Sequence, residues 1–123
     1  MSNSSIPLLT LTVIAAAALA TARAVNQAGN YPAAGGLAFG ITRTDAATGD
    51  PLPVDVQGTA LAEAGAAFDA DVPLMVGTSG KLIAHDGDGD KHAVARSIDA
   101  ATADGDVVEV LLVPSAGVLV TAA

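Results

Sequence analysis

Cysteine and tryptophan are absent from the 123 residues, and the aromatic side chains come down to Tyr31, Phe39 and Phe68. Without cysteine there are no disulfides, no thiolate metal ligands and no cysteine nucleophile. The scarcity of aromatics bears on stability, because aromatic rings bury large areas. The hydrophobic fraction is 51%, but much of it is alanine. A chain of this length builds one modest core. A core of small side chains gives it reason to gain stability from neighbouring surfaces.

Positive charge is also scarce. Five Lys and Arg stand against thirteen Asp and Glu, a net of −8 with both histidines neutral. Arg23, Arg43, Lys81, Lys91 and Arg96 are scattered singly, whereas phosphate binding runs on clustered cations. Neither nucleic acid nor a membrane is expected as a direct partner.

There is one extended apolar run, Ile6 to Ala24 (IPLLTLTVIAAAALATARA). It imitates a secretory signal ending in Ala-x-Ala, but the preceding MSNSSIP has no basic side chain, as a signal peptide requires. It is also too short and too often interrupted by threonine to span a bilayer. Period-two alternation offers another account. Leu9, Leu11 and Val13 point one way while Thr10, Thr12 and Ile14 point the other. Further on, Leu19, Thr21, Arg23 and Val25 alternate with an all-alanine face that includes Ala20 and Ala22. Two strands are expected here, with a helix from about Ala15 to Val25 as the competing reading, since alanine favours helix.

Downstream, turn-rich stretches separate short alternating segments. Asn26–Gly36 is a loop by composition, followed by a strand carrying Leu37, Phe39 and Ile41. Asp45–Pro53 is a connector, and Leu52, Val54 and Val56 form a strand whose prolines suggest a sheet edge. That strand continues to about Leu61 before a loop or single helical turn anchored by Phe68. Leu74–Val76, the turn GTSG and Lys81–Ala84 read as a hairpin. Ala93–Ile98 is a short strand, and Val107–Val113 (VVEVLLV) a stronger one, apolar on both faces except Glu109. Such a strand is either central or covered by another subunit. About seven or eight short strands with regular turns predict a mainly β, Gly/Ala-rich sandwich or small barrel. Its parts are an N-terminal arm with strands (1–24), a β core (25–113) and an apolar C-terminal arm (114–123) laid on a neighbour.

Candidate chemistry is thin. Asp86, Asp88 and Asp90 alternate with glycine and can in principle wrap a hard cation. The EF-hand pattern fails, however, because Lys91 stands where glycine is needed and Ser97 where glutamate is needed. A solvated acidic turn accounts for the string, and its flanking His85 and His92 read as hydrogen-bonded loop residues. A trio of Ser79, His85 and an aspartate lacks the strained nucleophile turn and oxyanion loop of a hydrolase. The glycine pair Gly35-Gly36 precedes a strand, whereas phosphate-binding glycines follow one and open a helix. No catalytic site and no cofactor are expected.

Four stretches taken in order resemble the small capsid cement, or head decoration, proteins of tailed phages: AVNQAG, AGGLAFGITRTDAATGDPLPVDVQG, AGAAFDADVPLMVGTSGKLIAH and AVARSIDAATADGDVVEVLLV. The resemblance covers roughly Val25 to Val113 and departs from the family pattern at Met1–Ala24, which is longer and more apolar. It implies a non-enzymatic β-rich domain on the outer surface of the head, often trimeric near threefold positions, bridging major capsid proteins. Within that reading, Leu9, Leu11, Val13, Ala20, Ala22, Val118, Leu119 and Val120 are the expected contact residues. A secreted or periplasmic β-sandwich binding module is the alternative, and a calcium-dependent domain built on Asp86, Asp88 and Asp90 a third.

Overall fold

A computed structural model of the chain describes residues 5–87 and 91–112, together with the backbone of 118–119. Within these residues the strands are β1 (Pro7–Ile14), β2 (Ala24–Val25), β3 (Gly40–Thr42), β4 (Pro51–Glu63), β5 (Pro73–Val76), β6 (Leu82–Ala84), β7 (His92–Ala93), β8 (Ala95–Ser97), β9 (Val107–Leu112) and β10 (Val118–Leu119). One 3-10 turn, Thr78–Gly80, joins β5 to β6. Eight strands form one sheet in the order β2-β3-β4-β9-β8-β5-β6, with β1 beside β4, while β10 pairs with β7. The sheet curls until β6 returns to the end of β4. There Leu82 bridges Ala64, and the Gly65 N–H donates to the Leu82 carbonyl at 2.8 Å. The result is a nearly closed, antiparallel barrel, the mainly β architecture that the strand pattern predicts.

The long strand β4 organises the interior. Leu52 and Val54 on its first half belong to one buried cluster with Val13, Ala15, Leu19 and Val25. Ala60 and Ala62 on its second half belong to the barrel core with Ile41, Phe68, Leu74, Val76, Leu82, Val108, Val110 and Leu112. Residues two apart on a strand share a face, so a single inward stripe serves both clusters. Small residues on that stripe let opposite walls approach closely, which suits a narrow barrel. Phe68 is the one aromatic in the barrel core; Tyr31 and Phe39 are half-buried against the other cluster.

Gly58 marks the junction of the two halves. Its φ of +93° is a conformation L side chains rarely adopt, and a Cβ there would stand 2.4 Å from the Ile6 carbonyl oxygen. Only glycine lets β1 pass this close. Beyond it, β4 exchanges β1 for β9 as its partner: Pro7 stands opposite Gly58, and Thr59 opposite Leu111.

Four expectations are corrected. The segment 15–25 is neither a helix nor a continuous strand. Leu19 makes an isolated bridge to Ala46, Ala22 turns the chain at φ +62°, and only Ala24–Val25 is strand. Alternating alanine satisfies a strand pattern, but the N–H of Ala22 is drawn to Thr42 and its carbonyl to Glu63, and those bonds set the turn. Second, the strand leading out of the glycine loop starts at Gly40, so Leu37 and Phe39 precede it. Third, β4 is internal, with β1 and β3 on either side at its start. Pro53 accepts from the Arg43 N–H on the β3 side. A strand residue directs its N–H and C=O to the same side, so the missing proline N–H falls where β3 has only begun to pair. Fourth, Leu9 does not share a face with Leu11. It stands opposite Gln57 and Thr10 opposite Asp55, so an irregularity in the ladder skips Val56.

Candidate interaction surface

β1 is woven into the sheet yet largely uncovered. Val13 is buried opposite Leu52, and Leu11 lies on the same side opposite Val54 but is 39% exposed. Ile6, Leu8, Leu9 and Ile14 are also exposed, Leu8 most of all at 77%. Three polar contacts hold this apolar ribbon in place. The Ile6 N–H donates to Thr59 Oγ1 at 2.7 Å, and the Thr59 N–H returns a bond to the Ile6 carbonyl. Thr10 Oγ1 donates to Asp55 Oδ1 at 2.9 Å. Asp55 is 2% exposed, and its charge is met by Arg43, whose Nη1 reaches both carboxylate oxygens at 3.0 and 3.1 Å.

The other expected contact residues are divided. Ala20 is half-buried and donates its N–H to the Tyr31 hydroxyl. Ala22 is buried at its turn and presents little surface. Val118 and Leu119 pair by their backbones with Ala93 and His92, and Val120 lies outside the described residues, as do 114–117 of the expected C-terminal arm. The apolar stretch expected as a strand from Val107 is β9 over Val107–Leu112, central between β4 and β8. Val108, Val110 and Leu112 face the core, whereas Val107 and Leu111 on the opposite face are exposed. Ile98, past the end of β8, adds a third exposed side chain nearby: its N–H donates to the Glu109 carbonyl. Of the two readings that composition allows for β9, central or covered by another subunit, the sheet order shows the central position. Leu8 and Ile98, which show no distinctive pattern in the sequence, emerge only from their exposure.

The polar candidates are held by local bonds. Asp86 is paired with Lys91 at 2.6 Å, while Asp88 and Asp90 lie outside the described residues. No group of three or more metal-ligating side chains occurs among the described residues. His85 Nδ1 accepts from the Gly87 N–H at 2.9 Å, and its Nε2 stands 3.0 Å from the Lys91 carbonyl, to which it donates in the matching tautomer. With both nitrogens engaged, His85 has none free to activate Ser79, which sits in the β5–β6 turn. His92 Nδ1 meets the Gly35 carbonyl.

An open cleft is lined by Arg23, Gly65, Thr78, Ser79, Lys81 and Asp104. Its cations are already neutralised. Arg23 Nε pairs with Glu63 at 3.2 Å, and Lys81 Nζ lies 3.4 Å from Glu63 and 3.0 Å from Asp104. The hydrogen bond to Asp104, partly offset by desolvation and reinforced by Glu63, raises the Lys81 pKa above its ordinary value.

A family model described as phage cement protein matches residues 5–112. Among solved structures, the N base of the head fiber protein gp8.5 of bacteriophage phi29 aligns with a TM-score of 0.70 at 17% identity, over 85% of this chain and 93% of that one. At that identity the likeness is one of fold. No curated protein matches. The family match begins ahead of β1 and ends with β9, so it takes in the whole barrel rather than one motif: the chain belongs to the phage cement protein family and is a structural protein of the phage head.

Proposed function

We propose that the protein cements the head from its outer surface, bridging major capsid proteins as a homotrimer, without catalysis. The observation that carries this reading is the exposed apolar ribbon of β1. Single exposed leucines are ordinary. Ile6, Leu8, Leu9, Leu11 and Ile14 gather five exposed apolar side chains, on both sides of the strand, into one short extended segment, and such concentrations mark contacts with other proteins. Covering them returns roughly 25 cal/mol per Å² of apolar area. A symmetric assembly repeats the contact in each copy and gains avidity. β1 is held to the barrel by Asp55, Arg43 and Thr59, so a load on the strand passes into a rigid sheet. The secretory alternative fits poorly: cleavage near Ala24 would remove Val13, Ala15 and Leu19 from a buried cluster.

The test is to mix the purified chain with expanded, empty heads and measure co-sedimentation and the melting temperature of the heads. Binding with a raised head melting temperature supports cementing; heads that melt unchanged at saturating protein refute it. Sedimentation velocity of the free protein reads the oligomer, and a lone monomer on and off the head refutes the trimer.

A further inference from the structure

Glu109 is a nearly buried acid in an apolar setting. It sits in the middle of β9 on the outer face, directly opposite Leu61 of β4. Its neighbours two residues away on that face are Val107 and Leu111, and exposed Ile98, just past the end of β8, donates its N–H to the Glu109 carbonyl. Glu109 is only 5% exposed, and its carboxylate has no hydrogen bond and no ion pair among the described residues, while its oxygens are not fully shut off from the surface. In the turn beside it, Asp99 donates its N–H toward the Glu109 carbonyl at 3.4 Å, and its own Oδ2 is fully buried with no hydrogen-bond partner. A buried carboxylate without a partner is costly. Folding alone gives no reason for it, because an apolar residue would fill the same place more cheaply.

The geometry points to a docking socket on the outer face of β4, β9 and β8, in which Glu109 receives a Lys or Arg side chain from a different protein, with Leu61, Ile98, Val107 and Leu111 as its apolar rim. An unpaired carboxylate that is reachable within an apolar ring, and that a partner would enclose completely, is the arrangement of an energetic anchor. Charge accounting identifies the occupant. Each of the chain's five cations is already engaged by one of its own acids: Arg23 by Glu63, Arg43 by Asp55, Lys81 by Glu63 and Asp104, Lys91 by Asp86, and Arg96 by Asp71. A second copy could therefore offer a Lys or Arg only by giving up one of these pairs. Arg96, across from Leu111 on β8, is the nearest of them on the same face, and Asp71 holds it at 2.6 Å. The thirteen acids against five bases make a basic segment of another protein the complementary partner. This inference rests on the cementing reading, which makes that partner a protein of the head shell.

The experiment uses the full chain, its Glu109→Gln and Glu109→Leu variants, and Leu111→Ser, with isolated empty heads as the probe. Free protein is followed by thermal melting and sedimentation velocity, and head binding by titration at low and moderate salt. Both Glu109 variants are expected to melt at or above the wild-type temperature, to keep its oligomeric state, and to bind heads about tenfold more weakly or worse. Leu111→Ser is expected to weaken binding without altering the oligomer. A Glu109→Gln protein that binds heads like wild type overturns the socket while leaving cementing intact. Variants that melt lower show that Glu109 serves the fold, and variants that change the oligomer show that a second copy fills the socket; either result overturns the proposal. Wild-type protein that ignores heads removes both readings together.

Discussion

Thr10 and Arg43 converge on a single oxygen: Oδ1 of Asp55 accepts from the Thr10 hydroxyl at 2.9 Å and from Arg43 Nη1 at 3.0 Å. Three strands meet in this contact, since Thr10 lies on β1, Asp55 on β4 and Arg43 directly after β3. Asp55 projects from the outer side of β4, where a carboxylate would ordinarily be solvated, and β1 covers it. The buried charge therefore depends on both partners.

Removing that carboxylate should loosen β1 before it unfolds the barrel. Asp55→Ala is expected to cost about 2 kcal/mol, the range for removing a charged hydrogen-bonding partner at a partly buried site. Thr10→Val should cost about 1 kcal/mol. In both variants hydrogen exchange should quicken first at the amides of β1 while those of β5 and β9 stay protected. Uniform loss of protection across the sheet would show that β1 has no separate stability.

Phe68 carries an unusual share of the barrel core. It is 7% exposed, and its backbone exchanges two bonds with Ala101, at 3.0 and 2.9 Å, pinning the loop after β4 to the loop after β8. Truncating it to alanine in a core that already holds many alanines leaves a cavity that the surrounding side chains fill only in part. Phe68→Ala is expected to cost about 3 to 5 kcal/mol, a large part of a small domain's stability. Urea denaturation should show the midpoint falling sharply. A loss under about 1 kcal/mol would mean that the loops collapse into the gap.

What could be read in the sequence follows from which signals are local. The 74–84 hairpin and β9 are recognisable because alternating large side chains and a glycine-bearing turn specify them within a few residues. The continuation of β4 through Ala60 and Ala62 to Glu63 is less evident, because small inward residues give almost no hydrophobic contrast with half-exposed Leu61. The turn at Ala22 leaves no mark in the sequence, since its positive φ is imposed by Thr42 and Glu63 from distant strands. The same holds for the surface. β1 and β9 stand out as apolar, but the break in register that separates Leu9 from Leu11, and the isolation of Glu109, exist only once strands are paired.

The exposed ribbon should be separable from the fold. Leu8→Ser alters a side chain that is 77% exposed, so stability should stay within about 0.5 kcal/mol of wild type, and Leu8→Ser with Leu9→Ser should remain folded. Binding to heads should nonetheless weaken, because less apolar area is then covered. Removing Pro114–Ala123 is likewise expected to weaken trimer or head binding without unfolding the domain. Light scattering and head pull-down read both, and unchanged assembly in each case would take these segments out of the interface.

Acid should weaken the fold through the turn before β9. Asp106 Oδ2 accepts from the Thr102 hydroxyl at 2.7 Å and from the Thr102 N–H at 2.8 Å, with a longer bond from Ala103. These bonds favour the ionised carboxylate, the hydroxyl most of all, and hold the Asp106 pKa below its ordinary value. A group whose pKa is lower in the folded chain stabilises it at every pH above the unfolded value, about 4 for aspartate. That contribution fades as pH falls from there through the lower folded value. An Asp106→Asn variant, which cannot ionise, should therefore trail wild type near neutrality and converge on it below about pH 3. Melting curves for the two proteins across this range decide the matter: a constant gap at all pH values would show that the side chain acts through its shape and not through its charge.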